Sequence, residues 1–333
     1  MNYKCTFPIC KEVLPVKKHA RPKFEQGVTL ALGGGGARGF AHVGVLEVLH
    51  KHGVPITTIV GTSAGALAGA GYAMGNHPAV MRQRVMEFAE SRLANHAKIR
   101  ALVAQEQEIS WRSLGDRLAR FLSQGQMVKA LLMEASVMGE DYFKNVVDFF
   151  LPKARIEYMP IRFMAAATDM LSGKPVALTQ GDLRKAVLAS CSVPGIAPAV
   201  VIGERHLADG GVACLVPVEL ALEHEGARVL AVGVDRDIET GAPPVQALDA
   251  YLRAGDIMLA RMGEIMLSQA HLALKPKVGH IHWLDFARAG EIMDLGAEAA
   301  EEAMPQIEEL CRRPTLRQRM RCWLNGDINR GAV

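Results

Sequence analysis

The chain has 333 residues, half of them apolar and 22% charged, with a formal net charge of +3. This is the composition of a globular protein with enough apolar residues for one large domain or two small ones, and it excludes wholesale disorder. So small a net charge gives no global case for a nucleic-acid partner.

Residues 1–25 mix lysines with prolines, have no clear period and lack an apolar h-region, so they read as an N-terminal arm and not as a signal peptide. Val28–Leu32 is a short apolar run stopped by glycine, which suits a buried strand. The loop Gly33–Gly39 follows, and Phe40–His52 reads as a helix with Gly53 at its C′ position. Ile56–Val60 is the second strand, which completes a parallel, right-handed crossover unit. Ala64–Met74 then reads as a helix.

Residues 77–150 turn to helical spacing (Leu114, Leu118, Phe121, Leu122) and read as a helical insertion over the sheet. Its methionine-rich stretch (Met127, Leu131, Leu132, Met133) suits either ordinary core filling or the wall of an acyl-chain pocket. Strands resume at Ile161–Ala167 and Val176–Leu178, and Asp182 caps a helix running to about Ser190. Val200–Ile202, a Gly203-Glu204 turn and His206–Ala208 form a hairpin that delivers Asp209-Gly210-Gly211. A helix over Val218–Glu225 and a strand over Val229–Val234 come next. The amphipathic pattern from Val245 to Leu274 (Leu248, Leu252, Leu259, Met262, Met266) predicts a long helix. His280–Leu284 reads as the last strand and residues 291–311 as the last helix.

No run approaches the roughly 18–20 apolar residues that span a bilayer. A cytoplasmic protein is expected, with peripheral contact its one mode of membrane association. Arg312, Arg313, Arg317, Arg319 and Arg321 cluster near the C-terminus, as a solvated helix face or as a contact for anionic headgroups. The six cysteines (Cys5, Cys10, Cys191, Cys214, Cys311, Cys322) contain no C-x-x-C pair, which fits reduced thiols and offers no metal site.

Gly61-Thr62-Ser63-Ala64-Gly65 has the form G-x-S-x-G of a nucleophile elbow. The serine hydroxyl of such a turn is lifted off the sheet at a helix N-terminus, where free N–H groups favour developing negative charge. Gly34-x-Gly36-x-x-Gly39 also fits a dinucleotide fingerprint, but Val48–Met86 holds no acid to bind a ribose. No Gly-Lys-Ser/Thr closes the loop, so it is no P-loop either. The remaining use is anion stabilisation by backbone amides, an oxyanion hole with Gly35 and Gly36 as donors. Arg38 either holds this loop, meets a phosphate or makes a surface ion pair. None of the histidines sits in a recognisable motif. His42 lies on the first helix. His280 and His282 share one face of a predicted strand without a third metal ligand, and they offer a rival triad, Ser63, Asp209 and one histidine. Against that triad, Ser63 follows only the second predicted strand.

Three pieces, Gly34-Gly35-Gly36-Ala37-Arg38-Gly39, the Gly61–Gly65 pentapeptide and Asp209-Gly210-Gly211, resemble the patatin-like phospholipase family in order and spacing. Ala166-Ala167-Thr168-Asp169 and Ser190-Cys191-Ser192-Val193-Pro194-Gly195 fit as well, and the likeness covers roughly residues 28–235. The resemblance implies an α/β fold of three α/β/α layers, with a mainly parallel central sheet and a helical insertion. It implies a Ser–Asp dyad with Ser63 as nucleophile and Asp209 as base. Gly34, Gly35 and Gly36 match the oxyanion loop, and Arg38, Gly39, Gly61, Gly65, Gly210 and Gly211 support the motifs. No metal and no cofactor are implied. Cys214 departs from the pattern, since a polar residue such as Asn is expected after the D-G-G. The domains expected are the arm at 1–25, a catalytic domain at 26–290 with its cap at about 77–150, and a C-terminal helix and basic tail at 291–333. The expected activity is a serine esterase acting on acyl esters of lipids, phospholipid or lysophospholipid. Its rivals are an acyltransferase using the same acyl-enzyme and a non-catalytic lipid-binding regulator.

Overall fold

Short β-branched and apolar runs become the strands of one sheet, and the amphipathic stretches between them become its covering helices. The computed structural model describes residues 26–96, 99, 138, 140–223, 228–238, 244 and 247–312. The strands are β1 (Val28–Leu32), β2 (Ile56–Thr62), β3 (Arg162–Asp169), β4 (Pro175–Leu178), β5 (Val200–Ile202), β6 (Arg205–Asp209), β7 (Val229–Val232) and β8 (Leu272–Leu274). The first helices are α1 (Ala41–Lys51), α2 (Ala64–Ala73), α3 (Pro78–Glu90), α4 (Glu140–Phe150) and α5 (Leu183–Ser190). They are followed by α6 (Val218–Leu222), α7 (Ala247–Ser268), α8 (Ala289–Glu302) and α9 (Met304–Leu310).

The sheet runs β5-β6-β3-β2-β1-β7-β8, with β4 also paired to β3. β1, β2, β3, β7 and β8 run parallel to one another, so their carboxyl ends share one edge, while β4 and β6 pair antiparallel to β3. One detail of register builds the site. Ala166 pairs with Thr62 of β2 and Ala177 of β4, while Ala167 pairs with Asp209 of β6 and Val176 of β4. A strand residue has one neighbour on each side. β2 and β6 therefore share one side of β3, approach from opposite directions, and end one step apart.

Alternation along each strand feeds two cores. Leu30 and Leu32 of β1, with Leu230 and Val232 of β7, face α1, α2, α3 and α8. Ala31, Val60, Val229 and Ala231 face α6 and the end of α7. α8 belongs to the first core through Ala289, Ile292 and Met293. It crosses α1 at two glycines: a Cβ on Gly44 would run into the Met293 carbonyl, and one on Gly296 into the Ala41 carbonyl.

The structure departs from the sequence reading in three places. The long helix stops at Ser268, and Leu272–Leu274 pairs with β7 as an edge strand. His280–Leu284 is a chain of turns and not a strand. β8 occupies the edge of β7, and the alternation at 280–284 does not extend the sheet beyond it. The Trp283 carbonyl instead takes the Ala37 N–H at 2.7 Å. The last helix is broken at Ala303 into α8 and α9, because Pro305 cannot continue the α8 ladder. The arm at 1–25, Leu114, Leu118, Phe121, Leu122, Met127, Leu131, Leu132 and Met133 of the insertion, and Arg313, Arg317, Arg319 and Arg321 lie outside the described residues.

Gly44→Val removes the closest approach of α1 and α8 by overpacking, which typically costs about 1–3 kcal/mol and occasionally more. Urea unfolding followed by circular dichroism should show a loss of that size, and the exposed, spacious Gly53→Asn should show none.

Candidate active site

A tight strand-to-helix turn carries Ser63 between β2 and α2. Its backbone has φ 53 and ψ −120, and it is the one non-glycine residue with positive φ among those described. Such strain costs on the order of 1–3 kcal/mol and persists only where neighbours enforce it. Here the Ser63 N–H donates to Ser190 Oγ at 2.9 Å, and the Ser190 hydroxyl donates to the Ala166 carbonyl at 2.6 Å. The flanking glycines are steric necessities. A Cβ on Gly61 would lie 2.5 Å from the Gly65 carbonyl, and one on Gly65 would strike the Leu32 carbonyl.

Asp209 ends β6 one register step from Thr62, the residue before Ser63, and is 5% exposed. Its carboxylate faces the Ser63 hydroxyl, and Oδ1 accepts the Gly211 N–H at 2.7 Å. Burial raises the carboxyl group from its ordinary value to about 6, although the Ser63 hydroxyl and the Gly211 N–H pull the other way. The Asp209 N–H donates to the Ser192 carbonyl at 2.8 Å, and Thr168 Oγ1 donates to the Asp209 carbonyl at 3.0 Å. One segment, Ser190–Ser192, thus fastens both members of the pair. Between its serines, the Cys191 thiol lies beside Ser63 and Asp209, and burial and then the Asp209 charge push it well above the ordinary thiol range. Nothing in the sequence alone assigns this segment a role; only its place before the D-G-G hints at one.

The glycine loop crosses the end of β1 beside Ser63. The Gly33 N–H donates to the Val232 carbonyl and the Gly34 N–H to the Leu215 carbonyl, each at 2.9 Å. Gly34 is thereby removed from the expected set of oxyanion donors. It serves by being small, since a Cβ there would lie 3.3 Å from that of Ser63. Gly35 and Gly36 keep N–H groups that no described residue accepts, and Gly36 lines the cavity together with Ser63. Arg38 is buried and donates from Nε to the Gly35 carbonyl at 3.3 Å, so it clamps the loop, and it makes no ion pair with a described residue. In a trans peptide, C=O and N–H point opposite ways. A Gly35 carbonyl drawn toward Arg38 therefore turns the Gly36 N–H away from it.

His42, fully buried on α1, holds the next carbonyl back, with Nε2 at 2.8 Å from Gly33 O. A carbonyl only accepts, so Nε2 carries the proton; Nδ1 has no partner among the described residues. Burial pushes the imidazole down to about 4. His280 pairs with Arg288, and His282 Nδ1 accepts the Leu284 N–H. Among the described residues, burial, Ser63 and the Gly211 N–H set the ionisation of Asp209, and no histidine does. Cys214, the departure from the family pattern, is bound through its backbone. Its N–H donates to the Gly210 carbonyl at 2.7 Å, and its carbonyl accepts Thr62 Oγ1 at 2.8 Å.

A cavity of about 1140 Å³ opens from Ser63 and Gly36 under α2. Its wall is apolar, built by Leu67, Met81, Val85, Phe88, Phe143 and Phe150. It exceeds the roughly 300–1,000 Å³ of ordinary small-molecule pockets. α3 and α4, the described ends of the helical insertion, supply much of it. No group of three metal-ligating side chains exists among the described residues.

If the Asp209 carboxylate is the base, kcat/KM on a soluble short-chain ester should fall tenfold per pH unit below about 6, because only the ionised form accepts the Ser63 proton. Asp209→Asn should reduce the rate to the Ser63→Ala background, and His280→Ala and His282→Ala should stay within a few-fold of wild type. His42 makes a separate stability prediction. Between its unfolded value of about 6.5 and its folded value of about 4, the unfolded chain binds a proton that the native state refuses. Wild type should therefore lose roughly 3 kcal/mol more than His42→Gln as pH falls through that window, measured by urea unfolding.

The patatin-like phospholipase family model matches residues 30–222, a span that holds the glycine loop, Ser63 and Asp209. An uncharacterised NTE family protein of Mycobacterium bovis is 31% identical, over 60% of this chain and 46% of that protein. A second, of Mycobacterium tuberculosis, is 28% identical over 85% of this chain and 47% of its own length. Lysophospholipase NTE1 of Debaryomyces hansenii is 25% identical over 89% of this chain and 19% of its own. The chain spans less than half the length of these relatives. Among solved structures, VipD from Legionella pneumophila aligns with 86% of this chain and 67% of its own at 13% identity, with a TM-score of 0.40. With more than half of its residues matched by one family model, this chain belongs to the patatin-like phospholipase family.

Proposed function

We propose that the protein hydrolyses acyl esters of lipids through Ser63 and Asp209. The observation that carries this reading is Ser63 on a strained backbone, facing a buried carboxylate at the mouth of a large apolar cavity. Asp209 takes the hydroxyl proton as Ser63 Oγ attacks the ester carbonyl. The Gly35 and Gly36 amides hold the oxygen that becomes negative, with no reorganisation at that moment. The C–O bond to the alcohol breaks, and Asp209 returns the proton to that alcohol. A water then gives its proton to Asp209 and attacks the acyl-enzyme, and the fatty acid leaves as Ser63 is reprotonated. A carboxyl group near 6 suits both steps better than one near 4, since it remains ionised at neutral pH yet is a stronger base.

The substrate class follows from the wall of the cavity. An apolar pocket running from the nucleophile favours a long single acyl chain, and the name of the Debaryomyces relative points to lysophospholipid as the first lipid to try.

A fluorophosphonate probe should label Ser63 in the wild type and nothing in Ser63→Ala. Along p-nitrophenyl esters from acetate upward, kcat/KM should rise by up to about fourfold per methylene, the full value of burying one, until the cavity is filled. Phe88→Ala should shift the optimum to longer chains. A flat chain-length profile, or labelling at another serine in active protein, would contradict the assignment.

A further inference from the structure

The carboxyl edge of the sheet does more than hold the dyad. Gly263 of α7 lies against Leu215 and Asp235, at the level of the glycine loop, and Leu267 packs one turn lower on Gly233. α7 then delivers the chain to β8, whose Leu272 pairs with Leu230. Its C-terminal end therefore points to the amino edge of the strands. The sixteen residues from Ala247 to Met262 must project past the carboxyl edge, by about 24 Å at 1.5 Å per residue.

The charged side chains of this helix keep to one side. Arg253 bonds the Ile238 carbonyl, Asp256 pairs with Arg236, and Arg261 pairs with Glu264. Tyr251, Met258 and Ile265 recur every seven residues and so share another side. They are 77%, 71% and 62% exposed. A helix that is apolar on both its packed and its outer side has a second face without a partner among the described residues.

A second prominence rises from the β3 side. The β3–β4 turn carries Met170 and Leu171, and β5 carries Val201 beside the Gly203-Glu204 turn; all three are exposed. Both turns lie beyond the register step that holds Asp209, as the Met170 N–H to His206 carbonyl bond shows. Lys174, Arg205 and His206 are exposed around them. Asp169 is spent on capping its own turn, through Leu171 N–H and Ser172 Oγ. Glu204 is the other acid there. β3, whose end carries Met170 and Leu171, and β7, against whose end α7 packs, stand on either side of β2 and β1, which carry Ser63 and the glycine loop, about 14 Å apart for three strand spacings.

We propose that these two apolar prominences, the projecting turns of α7 and the paired hairpin tips, are the protein's contact with a lipid bilayer surface. The proposal rests on the lipid-hydrolase reading, because a surface touching both tips faces Ser63 and supplies its substrate. A second copy seated there would cover Ser63. The basic side chains at the hairpin tips favour anionic headgroups, and the apolar ones enter the interface.

The test uses the full chain as Ser63→Ala, so that vesicles are not consumed. Flotation is measured with phosphatidylcholine vesicles, with and without phosphatidylglycerol. Binding is expected, stronger with the anionic lipid. Tyr251→Ser combined with Met258→Ser should weaken it about tenfold, and Leu171→Ser about threefold. Tyr158→Ser, an equally exposed aromatic at the amino edge, should change it less than twofold. With Ser63 intact, all three variants should hydrolyse a soluble ester at the wild-type rate, since none of these residues lines the cavity. Absence of vesicle binding, rim variants that float like the parent, or an equal loss in Tyr158→Ser would each overturn the proposal. So would light scattering that shows a dimer dissociated by the double variant, which would assign the face to a second copy. Rim-dependent flotation without hydrolysis of any ester by the wild type would sink the hydrolase reading and leave the surface contact standing.

Discussion

A serine backbone held where side-chain-bearing residues rarely go sets the terms for the rest of the site. The turn at Ser63 is kept in place by a relay from its own N–H to the Ser190 hydroxyl and on to the Ala166 carbonyl. Ala166 is also the residue opposite which β2 ends. Strand register, elbow geometry and the approach of β6 are thus fixed at one point on β3. Shift β3 by one residue and its side chains change face; the relay is lost, and Asp209 no longer meets Ser63.

The oxyanion loop follows a similar logic, through carbonyls instead of amides. Arg38 and His42 draw the Gly35 and Gly33 carbonyls away from the cavity. Each keeps one proton pointed at one acceptor. Arg38 remains a cation even though burial lowers it to about 10, and His42 remains neutral. Both are positioning groups that stand outside the cavity lining.

Much of this was legible in the sequence where chemistry and backbone shape demand the same residues. Gly61 and Gly65 flank a serine because nothing larger fits, and Gly35 and Gly36 offer amides because no side chain intervenes. The hairpin delivering Asp209 was readable from its Gly203-Glu204 turn. What stayed hidden depends on partners distant in sequence. Ser190 looks like any helix-terminal serine until Ser63 is placed beside it. His280–Leu284 alternates like a strand, but only the assembled sheet reveals that β8 has taken the place. Arg38 reads as a surface residue because the charges it feels, those of Asp235, Arg236, Asp237 and Asp256, lie some two hundred positions away. Gly34 counts as one more oxyanion donor until Leu215 claims its N–H.

Those distant partners also impose an order of assembly. The elbow draws on residues up to Ser190, and the base on β6, so the first 209 residues contain both members of the dyad. The glycine loop at 33–37 is tied to carbonyls of Leu215, Val232 and Trp283, all later in the chain. On a chain made from its N-terminus, strand β1 waits without its β7 neighbour until residue 232 is available. The elbow that carries Ser63 is thus specified early and the glycine loop beside it late. A nascent or C-terminally shortened chain would bear Ser63 and Asp209 side by side but an unanchored loop, and the hydrolysis proposed for it would wait on topology until its last third arrives.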